Sequence, residues 1–173
     1  MSQSRRVLLR GAFLSLAVIA SIQSGRAADQ SAANAALLAK YVAAFNAHDA
    51  APFADVVAGN YIQHNGRAGQ GLAGLQATAQ QYFRTFPDFH MTLEDSVVTG
   101  DKVVARFKIT ATHDHPVQLG PNAPLFPPTG RKLSWQGISI WRVADGKFVE
   151  HWDEDDLLGL AQQMRAEPAA TSK

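Results

Sequence analysis

Three polar side chains stand where the hydrophobic pattern aims them at apolar space. His113 ends the run Val103, Ala105, Phe107, Ile109 and Ala111, every second residue of a strand-like segment. His64 closes the short extended piece Tyr61-Ile62-Gln63, and Asp156 follows Trp152 by four residues, where a strand gives way to a final helix. A carboxylate and imidazoles in a largely apolar pocket are the parts of general acid–base catalysis. Burial raises the carboxylate's pKa and a nearby imidazolium lowers it again. Such a base can take a proton from the carbon next to a carbonyl while the other groups polarise the oxygen. Each residue also has a plainer role open to it. Asp156 can cap the last helix, His113 can be a core histidine bonded to a backbone carbonyl, and His64 can be a surface loop residue. Asp153, Glu154 and Asp155 read as a solvated charge run, although strand alternation can turn one of them inward.

Other chemistries are weakly marked. The chain has no cysteine, which removes disulfides and a thiolate nucleophile. A Gly-x-Ser-x-Gly elbow is absent. Gly69-Gln70-Gly71 lacks the Gly-Lys-Ser/Thr ending of a phosphate loop and reads as a turn. His113 and His115 form a His-x-His pair without a defined third ligand, so no metal site is expected.

The elements that must position these groups follow from periodicity. Ser31 can cap a helix with the stripe Leu37, Leu38, Tyr41, Val42 and Phe45. Asp49 can cap a second, short helix burying Phe53, Val56 and Val57. A third carries Leu72, Leu75, Ala79, Tyr82, Phe83 and Phe86 and ends at Pro87. From Phe89 the pattern turns to strands. The last pair is a hairpin through Ala144-Asp145-Gly146-Lys147, with Leu133, Trp135, Ser139, Trp141 and Val143 on one face. On its return strand, Phe148, Glu150 and Trp152 are expected on one face, with Val149 and His151 on the other. Residues 115–129 form a long proline-rich connection, a candidate rim loop or lid. Three helices, consecutive antiparallel strands and one short C-terminal helix make an α+β fold. The expected shape is a cone: a strongly curved antiparallel sheet with helices over its mouth and a pocket inside. Tyr61, Phe83, Phe86, Trp135, Trp141 and Trp152 are the aromatics that supply core and pocket wall for a flat apolar ligand.

The first segment lies outside this pattern. Ser4-Arg5-Arg6-Val7-Leu8-Leu9-Arg10 is a basic start to an apolar run, and Gly25-Arg26-Ala27 supplies small residues for cleavage. Residues 1–27 are therefore expected to be a secretory leader, by either the general or the twin-arginine route, delivering the protein to a periplasm or outside the cell. The apolar run is too short for a lasting membrane anchor. A single domain should fill 28–167, followed by a disordered tail at 168–173. Loss of Arg5, Arg6, Arg10 and Arg26 takes the net charge from +1 to −3, which is no footprint for nucleic acid.

Taken together, Phe86-Pro87-Asp88, Thr112-His113, Pro128-Thr129-Gly130-Arg131, Asp145-Gly146-Lys147, Glu150-x-Trp152-x-x-x-Asp156 and Leu158-Gly159-Leu160-x-x-Gln163 resemble the SnoaL-like polyketide cyclase (ester cyclase) family. That family belongs to the nuclear transport factor two-like superfamily of cone-shaped α+β barrels. The resemblance implies an apolar cavity working without cofactor or metal, and ring closure of a polyketide ester by intramolecular aldol condensation. Asp156 would then be the acid/base, His113 its polarising partner and His64 a second polar contact. Two functional readings follow: an exported cyclase, isomerase or lyase acting on a small hydrophobic carbonyl compound, or a non-catalytic module binding a hydrophobic metabolite. In either case a homodimer through the exposed sheet face is expected.

Overall fold

The structure, a computed structural model, describes residues 4–120 and 122–165, with side chains from residue 25 onward. The elements run α1 (Ser4–Asn46), α2 (Phe53–Val56), β1 (Val57–Gln63), α3 (Gly71–Thr85), β2 (His90–Thr99), β3 (Lys102–Thr112), β4 (Val117–Gln118), β5 (Leu125–Phe126), β6 (Lys132–Ala144), β7 (Lys147–Asp155) and α4 (Leu157–Arg165). The expected tail at 168–173 lies outside the described residues, as do the first three of the leader.

Helix α1 continues unbroken through Ser31, so that residue caps nothing. Its packed part begins at Asn34, which is fully buried and donates through Nδ2 to the Gly100 carbonyl at 3.0 Å. Twelve residues on, Asn46 exchanges two hydrogen bonds with the backbone of Met91, at 2.9 and 2.8 Å. Between these anchors Leu38, Tyr41 and Phe45 repeat at helical spacing and are buried against the sheet.

Five strands form one sheet in the order β1-β7-β6-β3-β2. Strands β2, β3, β6 and β7 pair antiparallel, as expected, whereas β1 joins β7 in parallel. The sheet is therefore mixed and open, with β1 and β2 as its two edges. Periodicity reports which face a strand buries, not the direction in which it runs. The α+β class stands, with three helices before the main strands and one short helix after them.

The inner faces of β3 and β6 bury the alternating residues read from the sequence. Strand β7 departs from expectation. The pairing shifts from Val143↔Phe148 to Arg142↔Glu150, leaving one extra residue in β7. Such a bulge throws the later alternation out of step with the earlier. Phe148 consequently shares the inner face with His151, Asp153 and Asp155, while Glu150 and Trp152 face outward.

The connection after β3 folds into the small hairpin β4–β5, which acts as a flap and buries Val117 and Phe126. Asp88 ties its root together: it accepts from the Thr112 backbone at 2.6 Å, the Thr112 hydroxyl at 2.5 Å and Lys132 Nζ at 2.9 Å. Helix α4 is clamped to β6 by Gln163, whose amide bonds both the N–H and the carbonyl of Ser134.

Candidate active site

Two adjoining cavities lie between the sheet's inner face and the helices. The inner chamber holds about 120 Å³ and reaches down to His151 and Asp153; the outer one holds about 690 Å³ and is roofed by the β4–β5 flap, α3 and α4. Arg67, Thr78, Tyr82, Trp135 and Asp155 line both and form the neck between them. Both chambers are walled mainly by apolar groups, such as Val117, Leu157 and Leu160 in the outer one and Phe107 and Ile109 in the inner, and the inner one also gathers Gln63, Asn65, His151 and the two aspartates at its floor.

The bulge in β7 creates this polar floor by turning every second residue after it inward. Across the ladder, Asp155 faces Gly137 and Asp153 faces Ser139. Both partners are small, which leaves room for the carboxylates. Burial pushes the Asp155 pKa up to about 6; the negative charge of Asp153 adds to this, and the Arg67 guanidinium opposes it. Burial likewise raises Asp153, against hydrogen bonding from Asn65 and the charge of Arg67. These are the shifts expected when two carboxylates share a poorly hydrated site.

The loop between β1 and α3 brings up the counter-charge. Gln70 bridges the loop's two ends, bonding the N–H of Gln63 at 3.0 Å and its carbonyl at 2.7 Å. Asn65 Oδ1 accepts the Arg67 N–H at 2.6 Å in an Asx turn, while its Nδ2 donates to Asp153 Oδ2 at 2.6 Å. Arg67 Nη2 then reaches Asp153 Oδ2 and Asp155 Oδ2, each at 3.4 Å. The backbone of Gly69 lies so close to that of Gly74 that a Cβ on either would collide with the other. The glycines thus serve close packing onto α3, consistent with a turn.

His151 forms part of the inner wall. Its ring stacks on Trp141 at 4.7 Å with planes 3° apart, and its Nδ1 accepts from Gln63 Nε2 at 3.0 Å. Burial, reinforced by the charge of His64, pushes its pKa down to about 3. The ring is neutral at physiological pH, with its proton on Nε2.

The polar residues singled out from the sequence occupy three separate places, and none lines either cavity. Asp156 is exposed: its Oδ1 accepts the Gly159 N–H at 2.8 Å, its backbone N–H donates to Gln136, and it caps α4. Strand β7 ends one residue earlier, so the inward-facing carboxylate at the junction is Asp155. His113 is fully buried behind the flap. Its Nδ1 pairs with Thr129 Oγ1 at 3.0 Å, and its carbonyl accepts from the N–H groups of Thr129 and Gly130. Burial lowers its pKa, opposed by the Phe126 backbone and the Asp114 charge. His64 lies on the outer side, stacked on Trp152 at 4.4 Å and paired with Glu150 at 3.1 Å.

Among the aromatics, Trp135 lines both chambers and Phe86 the outer one. Tyr61 and Trp141 are core, and Phe83 stacks on His48. Trp152 lies on the outer sheet face under Lys102 Nζ, 4.7 Å from its ring centre. Sequence reasoning missed Arg67, Asn65, Gln63, Gly137 and the role of His151. It left Asp155 in a charge run of which strand alternation could turn one member inward. The available signal was the Asp-x-Asp spacing of 153 and 155, opposite the small residues Gly137 and Ser139.

Comparison with known proteins shows the family and the fold. Residues 35–164 match the sequence model for SnoaL-like polyketide cyclase. TsrD from Streptomyces laurentii is 34% identical, with a TM-score of 0.70 over 79% of this chain and 97% of that one. IdmH from Streptomyces antibioticus is 29% identical, with a TM-score of 0.66 over 76% and 98%. AclR from Streptomyces galilaeus is 26% identical, with a TM-score of 0.67 over 80% and 89%. Among curated proteins no match was found.

Proposed function

The chain belongs to the SnoaL-like polyketide cyclase family, and from that premise we propose that it catalyses acid–base chemistry on a small hydrophobic carbonyl compound, with Asp155 as the base. One observation carries the reading. Asp155 stands at the neck between two largely apolar chambers, with its pKa raised to about 6. A carboxylate of that pKa is still largely ionised at neutral pH and is a stronger base than an exposed aspartate.

The step runs as follows. The apolar body of the substrate lies under the flap, with a carbonyl group at the neck. Asp155 takes the proton from the adjacent carbon, the C–H bonding pair passes into the enolate, and the negative charge moves to the oxygen. Attack of the enolate carbon on a second carbonyl closes a ring, and the new alkoxide is then protonated. Return of the proton at a different carbon gives an isomer instead. Burial makes Asp155 a stronger base, the charge of Asp153 adds to this, and Arg67 opposes it.

The leader-like segment at residues 1–27 supports export, with the folded domain acting in a periplasm or outside the cell. Association into a homodimer through the outer sheet face completes the proposal. Val97, Val104, Ile140 and Trp152 line up in register across four strands there, and Val97 is 58% exposed.

The test needs no knowledge of the natural substrate. Incubation with 2-acetylnaphthalene in D₂O, followed by ¹H NMR, reads abstraction of the protons next to the carbonyl. The wild-type chain should accelerate exchange. Asp155→Asn should abolish that acceleration while still binding the ketone. Binding without exchange by the wild type would leave a hydrophobic-ligand module and sink the catalytic reading.

A further inference from the structure

We infer that Arg67 is a second catalytic residue, the group that holds the substrate's carbonyl oxygen and stabilises the enolate as Asp155 removes the proton. The inference rests on the reading of Asp155 as base. Among the described residues lining the two chambers, Arg67 is the one cation, and it sits at the neck itself.

Its hydrogen bonding is incomplete. A guanidinium has five N–H donors in a rigid fork. Here Nη2 alone reaches Asp153 and Asp155, at 3.4 Å each, and neither Nη1 nor Nε donates to another group among the described residues. Its contacts are also long: Arg142 meets Glu150 Oε1 through Nε and Nη2 at 2.5 Å, against 3.4 Å for each contact of Arg67. The side chain of Arg67 is 29% exposed, and the residue lines both cavities.

Spacing supplies the chemical argument. In an enolising ketone the oxygen and the departing proton sit on neighbouring carbons, so base and oxygen-holding donor must lie within a few ångströms of each other. Arg67 Nη2 and Asp155 Oδ2 meet this requirement. No other donor at the neck carries charge: Tyr82 is neutral, its pKa pushed up to about 12 chiefly by burial, and Thr78 donates its hydroxyl to the Gly74 carbonyl. The charged groups facing Arg67 are Asp153 and Asp155, with Glu154 next to them in the chain, and the nearby His151 is neutral. A cation among carboxylates, with donors to spare, is suited to an oxygen that becomes negative only as the reaction proceeds.

The exchange assay with 2-acetylnaphthalene separates this role from simple tuning of Asp155. For the wild type, the rate should rise with pH along a limb centred near 6 and reach a plateau where Asp155 is fully ionised. Arg67→Gln should lower that plateau about 100-fold, the usual loss when one oxyanion donor is removed. Arg67→Lys, which keeps the charge, should lose less. A plateau equal to the wild type's, with only the limb displaced to higher pH, would overturn the inference. Exchange that survives Asp155→Asn would instead overturn the base assignment, whatever Arg67 does.

Discussion

Gly137 lies directly across the β6–β7 ladder from Asp155, and a methyl group on Gly137 would overlap Asp155 Oδ1. Asp155, the proposed base, is thus held in a notch that a single hydrogen atom keeps open. Gly137→Ala must swing the carboxylate away from the neck or push β7 outward. A displacement of about 1 Å at a reacting group costs on the order of 100-fold in rate. The expected result is that scale of loss in ketone exchange with the fold retained, checked by melting temperature and exchange rate together. Unchanged exchange would show that the notch does not set the position of the base.

Asp155 should also leave a mark on stability. Its pKa in the folded chain, about 6, lies above its ordinary value of 3.8, so the folded chain binds the proton more tightly than the unfolded one does. The destabilisation is therefore absent below about pH 4, grows between pH 4 and 6 and is complete above pH 6. It amounts to roughly 3 kcal/mol at neutral pH. Asp155→Asn should accordingly be more stable than wild type at pH 7 and lose that advantage at pH 3.5. Urea titrations at the two pH values check both sign and window, and a variant less stable at pH 7 would contradict the buried-carboxylate picture.

The position of Asp155 also explains what could be read from the sequence. Alternation on β3 and β6 is uninterrupted, so their buried residues were legible one by one. On β7 the bulge after Phe148 inverts the alternation, and no local composition marks it. Extrapolating from Phe148 therefore put Trp152 inside and hid Asp153 and Asp155. The resemblance-bearing residues misled for a different reason. In this chain Asp88, Thr112, His113, Thr129 and Gln163 fasten strand ends, flap and last helix, as their hydrogen bonds show. They report the scaffold. Arg67 could not have been found by pattern, since only the Asx turn at Asn65 and the Gln70 bridge carry it to the neck.

Asp156 offers the sharpest contrast with its neighbour. Its side chain satisfies the Gly159 N–H and touches neither chamber. Asp156→Ala should cost about 1 kcal/mol of stability through the lost cap. Asp156→Asn, which caps equally well, should cost close to nothing. Both should keep ketone exchange within a few-fold of wild type, against near-complete loss in Asp155→Asn. Comparison of the three variants in one assay decides which of the adjacent aspartates is the base.

The outer sheet face supplies the last expectation. Pairing places Val97 beside Val104, Val104 beside Ile140 and Ile140 beside Trp152, an apolar row crossing four strands. Ile138, on the same face of β6, is 51% exposed. Charged rows flank it: Arg106 and Glu154 on one side, Lys102, Arg142 and Glu150 on the other. An apolar core with a charged rim is the anatomy of a protein interface, and a two-fold axis through Ile140 would bury the row against itself. Ile140→Lys places a charge at that centre. Since the residue points away from both cavities, the variant should run as a monomer in size-exclusion chromatography with light scattering at concentrations where wild type is dimeric, and it should retain exchange activity. A wild-type chain that is monomeric at tens of micromolar would remove the dimer proposal and leave the catalytic one standing.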